Sequence, residues 1–187
     1  MAGKNTAVFG IYSSVPDAEK AVDRLVHDGF ASADISVLLP DQRGTRDFAH
    51  EKETKAPEGT ATGVTAGGVI GGALGILAGI GAISIPGLGP FIAAGPIMGG
   101  LAGLGVGGAV GGLIGALVGM GIPEYEAKRY EGRLKSGGVL LSVHCGTSDE
   151  ISRAKDLLKE TRAEDIASAS ESSRDVDKER VRTSGSH

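Results

Sequence analysis

The sequence has one cysteine, no tryptophan and only 4% aromatic residues. A lone thiol, Cys145, excludes a disulfide framework and any zinc site built on several cysteines. Charge is scarce as well, since Asp, Glu, Lys and Arg make up 22% of the chain and sum to −4. No basic field follows from that balance, so nucleic acid is not an expected partner. The opening stretch, MAGKNTAVFG, lacks an apolar run ahead of a cleavage site, which predicts no secretory leader and a cytoplasmic start.

The largest deficit is local. Residues 59–123 contain no Asp, Glu, Lys, Arg or His, and they hold 23 of the 32 glycines. Gly63, Gly67, Gly71, Gly75 and Gly79 recur at every fourth position, and Gly99, Gly103, Gly107, Gly111, Gly115 and Gly119 do the same. Four residues advance about 400° around an α-helix, so each row would form a shallow groove into which another backbone can settle. Between the two ladders, Pro86, Gly87, Gly89 and Pro90 mark a turn that no helix crosses. The pattern predicts two apolar helices, from Ala61 to Ile83 and from Phe91 to Gly121, joined as a hairpin. About 20 apolar residues span a bilayer, and small-residue faces pair helices there, so a membrane-embedded glycine zipper is the expectation. A flexible linker does not fit, because the other positions are Ile, Leu, Val, Ala and Met. A hairpin buried inside an oligomer in water is the alternative.

The flanks have ordinary mixed chemistry. Ala7 to Tyr12 alternates as a strand, and Ser14, Pro16 and Asp17 then read as the start of a helix. Ala18, Ala21, Val22, Leu25 and Val26 have the spacing of one buried face, Gly29 is placed to end the helix, and Ile35 to Leu39 reads as a second strand. The plan recurs near the C-terminus: a strand from Val139 to Cys145, a Thr147-x-x-Glu150 capping box, a helix carrying Ile151, Ala154, Leu157 and Leu158, and a strand from Ile166 to Ala169. Two βαβ halves of this kind predict an α+β fold, a ferredoxin-like split βαβ sandwich interrupted by the Gly-rich two-helix hairpin. The expected divisions are a first βαβ half at 1–40, a polar linker at 41–60, the glycine-zipper hairpin at 61–122, a connecting helix and second half at 123–169, and a disordered tail at 170–187. Because each half carries its own apolar face and caps, the flanks are expected to fold without the hairpin.

Motifs with chemical meaning are few. Gly103-x-Gly105-x-x-Gly108 has the spacing of a dinucleotide loop but no strand ahead of it, and the Gly zone has no Lys for a phosphate-cradling loop. His144 and Cys145 are adjacent on a predicted strand and so point to opposite faces. His27, His50 and His187 are scattered without metal-ligand spacing. Lys52, Lys55, Lys128, Arg129 and Arg133 bracket the apolar zone, as expected when both ends of a membrane hairpin face the cytoplasm. Tyr125 and Tyr130 suit either an interfacial aromatic belt or packing against the sheet.

Val8 to Tyr12, Asp34 to Val37, Lys55 to Gly59, Ile85 to Pro96 and Gly121 to Glu124 together resemble the corresponding stretches of a family of bacterial heat-induced and general stress proteins that carry a glycine-zipper insertion. The resemblance implies a stress-linked, membrane-associated protein without established catalysis, and it supplies no active-site residues. The resulting expectation is a non-enzymatic protein of the inner membrane with both termini in the cytoplasm. Its hairpin would contact lipid and self-associate into a homo-oligomer that organises or reinforces the bilayer. The alternatives are a membrane-anchored regulatory or ligand-binding module, and a soluble cytoplasmic oligomer with buried glycine-zipper hairpins. No catalytic residue, metal or cofactor is expected.

Overall fold

Local chemistry sets the helix boundaries of the flanks. In the computed structural model, which describes residues 5–41, 81–85, 88–98 and 112–170, helix α1 (Val15–His27) starts where Ser14 Oγ accepts the Asp17 N–H at 3.4 Å. Ser14 also donates to the Asp17 carboxylate at 2.6 Å; that bond first, and Lys20 second, hold this carboxyl below its usual range. The last helix, α4 (Ser148–Glu160), opens on the predicted capping box, with Thr147 Oγ1 accepting from Glu150 N–H and the Glu150 carboxylate accepting from Thr147 N–H.

These helices connect strands of one mixed α+β unit. Strands β1 (Thr6–Tyr12), β2 (Ile35–Pro40), β3 (Gly81–Ile85), β4 (Gly89–Ala94), β5 (Val139–Cys145) and β6 (Glu164–Ser170) form one sheet in the order β3-β4-β2-β5-β1-β6. Every neighbouring pair is antiparallel. Helix α1 connects β1 to β2 and α4 connects β5 to β6.

The apolar zone departs from its prediction. Residues expected at the end of one helix and the start of the next are strands: Gly81 lies opposite Ala93, Ile83 opposite Phe91 and Ile85 opposite Gly89. Leu88 N–H donates to the Ile85 carbonyl at 3.0 Å between β3 and β4; of the expected turn residues Gly89 and Pro90 belong to β4, and Pro86 and Gly87 lie outside the described residues. Strand β4 then extends the sheet beyond β2, with Phe91 opposite Pro40 and Ala94 opposite Val37. Ile85, Phe91, Ala93 and Ala94 are buried in the domain, which is the position of core strands and not of a separate hairpin. The rest of the first predicted helix, residues 61–80, lies outside the described residues, as do residues 99–111 of the second.

Helix α2 (Gly112–Gly119) is described over eight residues, about 12 Å at 1.5 Å per residue. It does not run on into the flank. Gly121, at φ 91°, turns the chain, and Ile122 N–H closes back on the Leu117 carbonyl at 3.1 Å with both side chains buried. That is a Schellman stop, and α3 (Glu124–Lys135) begins as a new helix after Pro123. Among the described residues no helix is long and apolar enough to cross a membrane. Where the described residues fall within the expected transmembrane hairpin, they form two core strands and a short helix segment instead of membrane-spanning helices.

Both faces of the sheet are covered. On one face Val8, Tyr12, Val37, Leu141 and Val143 pack under Ala18, Val22 and Leu25 of α1 and Ala154 and Leu158 of α4. On the other, Phe9, Ile11, Leu38 and Leu140 meet Leu113 and Leu117 of α2, and Ala127, Tyr130 and Leu134 of α3, together with Ile85, Phe91, Ile97 and Met98. Burial from both sides explains why β5 opens on the unbroken apolar run Val139-Leu140-Leu141 instead of alternating.

Candidate functional site

Helix α3 and the start of β6 bring together most of the converging polar chemistry outside the helix caps. Opposite Gly10, β6 carries one residue too many: Phe9 faces Ala167 and Ile11 faces Glu164, so Asp165 and Ile166 share a single partner. This is a β-bulge, and Asp165 adopts φ 50° to make it. Backbone groups at a bulge lose their ladder partners, and α3 supplies a replacement for one of them and ion pairs beside it. The Tyr130 hydroxyl donates to the Asp165 carbonyl, Arg129 pairs with the Asp165 carboxylate, and Arg133 pairs with Glu164. Burial, then the nearby Glu126 and Asp165 charges, push the Tyr130 phenol far above its ordinary range.

This placement corrects the sequence-based reading of several residues. Arg129 and Arg133, expected to mark the cytoplasmic side of a bilayer, are spent on carboxylates of the same domain, and Lys128 pairs with Glu124 at 2.7 Å. Tyr130 is a core residue at 0% exposure, whereas Tyr125 is 63% exposed. Lys52 and Lys55 lie outside the described residues. With core strands where membrane helices were expected, neither bilayer insertion nor an inner-membrane location is supported by the described residues.

Of the helix-packing glycines, Gly115 and Gly119 fall on α2, and both are exposed. A methyl group at Gly119 would meet nothing within 4 Å, so among the described residues no backbone settles against it there. Gly63, Gly67, Gly71, Gly75, Gly79, Gly99, Gly103, Gly107 and Gly111 lie outside the described residues, as do Pro86 and Gly87 of the turn. Gly89 and Pro90 open β4. The outer side of α2 thus carries Gly115, Val118 at 40% exposure and Gly119, with no charge among them.

Cys145 is fully buried in the cluster under α1 and α4, and His144 beside it on β5 has intermediate exposure. Among the described residues no three His, Cys, Asp or Glu side chains converge as metal ligands would. A cleft of about 60 Å³ is bounded by Ile11, Tyr12, Ser13, Arg133, Ser136, Gly138 and Glu164. It is the flank of the α3–β6 clamp, and the Arg133–Glu164 pair occupies its polar side.

Tyr12, on the opposite face, gives a pH dependence that can be measured. Burial raises its phenol to about 12, against the lowering effect of the 2.7 Å bond to Thr161 Oγ1. A phenol whose folded pKa exceeds its unfolded value stabilises the fold fully below the unfolded pKa of 10.0, and that stability is lost as pH rises through about 12. The loss for Tyr12 is on the order of 2–3 kcal/mol. Urea unfolding at pH 8 and at pH 11.5 should show stability falling in the wild type, and falling less in Tyr12→Phe; equal slopes would rule out Tyr12 as a source.

Comparison with protein-family models, with curated proteins and with solved structures returned no match to this chain.

Proposed function

We propose that this chain is a non-catalytic self-association module: a ferredoxin-like split βαβ sandwich whose glycine-rich insertion completes its second core face and helps to join copies of the chain in water. The four-strand order β2-β5-β1-β6 with crossover helices α1 and α4 supports the fold assignment, since that order and those crossovers define the sandwich. One observation carries the functional reading. The uncharged zone places Ile85, Phe91, Leu113 and Leu117 in the core and leaves Gly115, Val118 and Gly119 facing outward without charge. A zone that builds protein core and also presents uncharged small-residue surface is suited to protein–protein packing. The ion-paired state of Arg129 and Arg133 supports a structural and not a catalytic role for the polar cluster. The motifs shared with glycine-zipper stress proteins make a structural role under stress the fitting context.

Light scattering of the full chain in detergent-free buffer tests this. A mass of at least twice 18.8 kDa across micromolar concentrations is expected. A particle of monomer mass at every concentration would reject self-association.

A further inference from the structure

The two edges of the sheet are built differently. At the β6 edge stand a bulge, the acidic residues Glu164 and Asp165, and the three contacts from α3. Bulges and charges are the devices that keep a strand edge from pairing with another chain. At the other edge, β3 reads Gly-Ala-Ile-Ser-Ile, with no charge, no proline and a continuous register against β4.

The backbone direction of β3 follows from Pro90. Pro90 has no N–H, and its carbonyl accepts the Asp41 N–H at 2.9 Å, so its backbone faces β2. Ser84, opposite Pro90, is therefore in a non-hydrogen-bonded pair, and its own N–H and C=O point away from β4. Ala82, two residues earlier, points the same way. Gly81, Ile83 and Ile85 are turned toward β4. Among the described residues no strand pairs with this edge, which presents two donors and two acceptors, on Ala82 and Ser84.

We propose that β3 is a homodimer edge, pairing antiparallel with β3 of a second copy about a two-fold axis at Ile83. This rests on the self-association reading and adds to it a contact surface separate from the outer side of α2. In that register Ala82 of each copy faces Ser84 of the other, and all four outward groups are satisfied by four main-chain hydrogen bonds. A second copy is the fitting occupant because an antiparallel edge is self-complementary under a two-fold axis, and an uncharged strand meets itself without like-charge repulsion.

Two variants of the full chain test the pairing. Ile83 would face its copy in a non-hydrogen-bonded pair, with Cα atoms about 4.5 Å apart, a span that a disulfide bridges. Ile83→Cys should therefore give a reducible covalent dimer under mild oxidation, while the wild type, whose Cys145 is 0% exposed, should not. Ser84→Pro removes an outward N–H that β4 does not use and should weaken association roughly tenfold or more with the thermal transition retained. If the wild type is oligomeric but Ile83→Cys does not cross-link, the edge pairing is overturned and self-association stands on another surface. A wild type of monomer mass overturns both. Should Ser84→Pro fail to fold, the cross-link alone decides.

Discussion

A chain lacking residues 63–120, closed by a short polar turn, is expected to lose its cooperative unfolding transition. The excision removes β3, β4 and α2, and with them Ile85, Phe91, Ala93, Ile97, Met98, Leu113 and Leu117 from the core of the second face. Truncating one buried large apolar side chain costs about 2–5 kcal/mol, and a domain's whole stability is about 5–15 kcal/mol. Six such losses, with Ala93 besides, cannot be absorbed. Phe9, Leu38 and Leu140 would also be uncovered, and β2 would become a bare apolar edge prone to pairing with other chains. Far-UV circular dichroism with dye binding to exposed apolar surface, followed through urea, reads the outcome. A sharp transition in the shortened chain would mean that the two βαβ halves are self-sufficient after all.

That expectation reverses what the flanks alone suggest, and the reason is physical. Capping and one-face periodicity are local signals, so the Ser14 cap, the Thr147–Glu150 box and the faces of α1 and α4 can be read from the sequence. The second face is a property of the assembled sheet. Its trace in sequence is faint: apolar residues at both parities of β1 and β5, such as Val8 with Phe9 and Leu140 with Leu141. The inserted strands were hidden by the glycine ladders on either side, whose spacing speaks for helix. Yet the ladder lapses between Gly79 and Gly95, where Ile83 and Phe91 stand at the positions that four-residue spacing would give to glycine. Ile83, Ile85 and Ile92, β-branched and arranged around a Pro-Gly-Leu-Gly-Pro turn, were the available sign of a β-hairpin. The α3–β6 clamp had no such sign, because Tyr130 and Asp165 meet only once a bulge has formed against Gly10.

Replacing Gly95 with Ala is expected to destabilise the protein by about 3–5 kcal/mol, because it combines a strained backbone with an overfilled site. Gly95 follows β4 at φ 87°, a region that side chains disfavour, and a Cβ there would sit 2.6 Å from Ser36 Cα and closer still to the Ile35 carbonyl and Ser36 Oγ. Two of those three atoms are backbone of β2, held in the sheet by β5, so they cannot move aside. The crossing is also hydrogen-bonded, since the fully buried Ser36 Oγ accepts the Ile97 N–H at 3.0 Å. Ser36→Ala leaves that N–H without a partner at a smaller cost of about 1–3 kcal/mol. The two variants therefore rank the contact: urea midpoints should fall in the order wild type, Ser36→Ala, Gly95→Ala, with the slope of the transition unchanged in the first two. A neutral Gly95→Ala would mean that the chain leaving β4 does not lie on β2, and the insertion would then be an appendage and not part of the core.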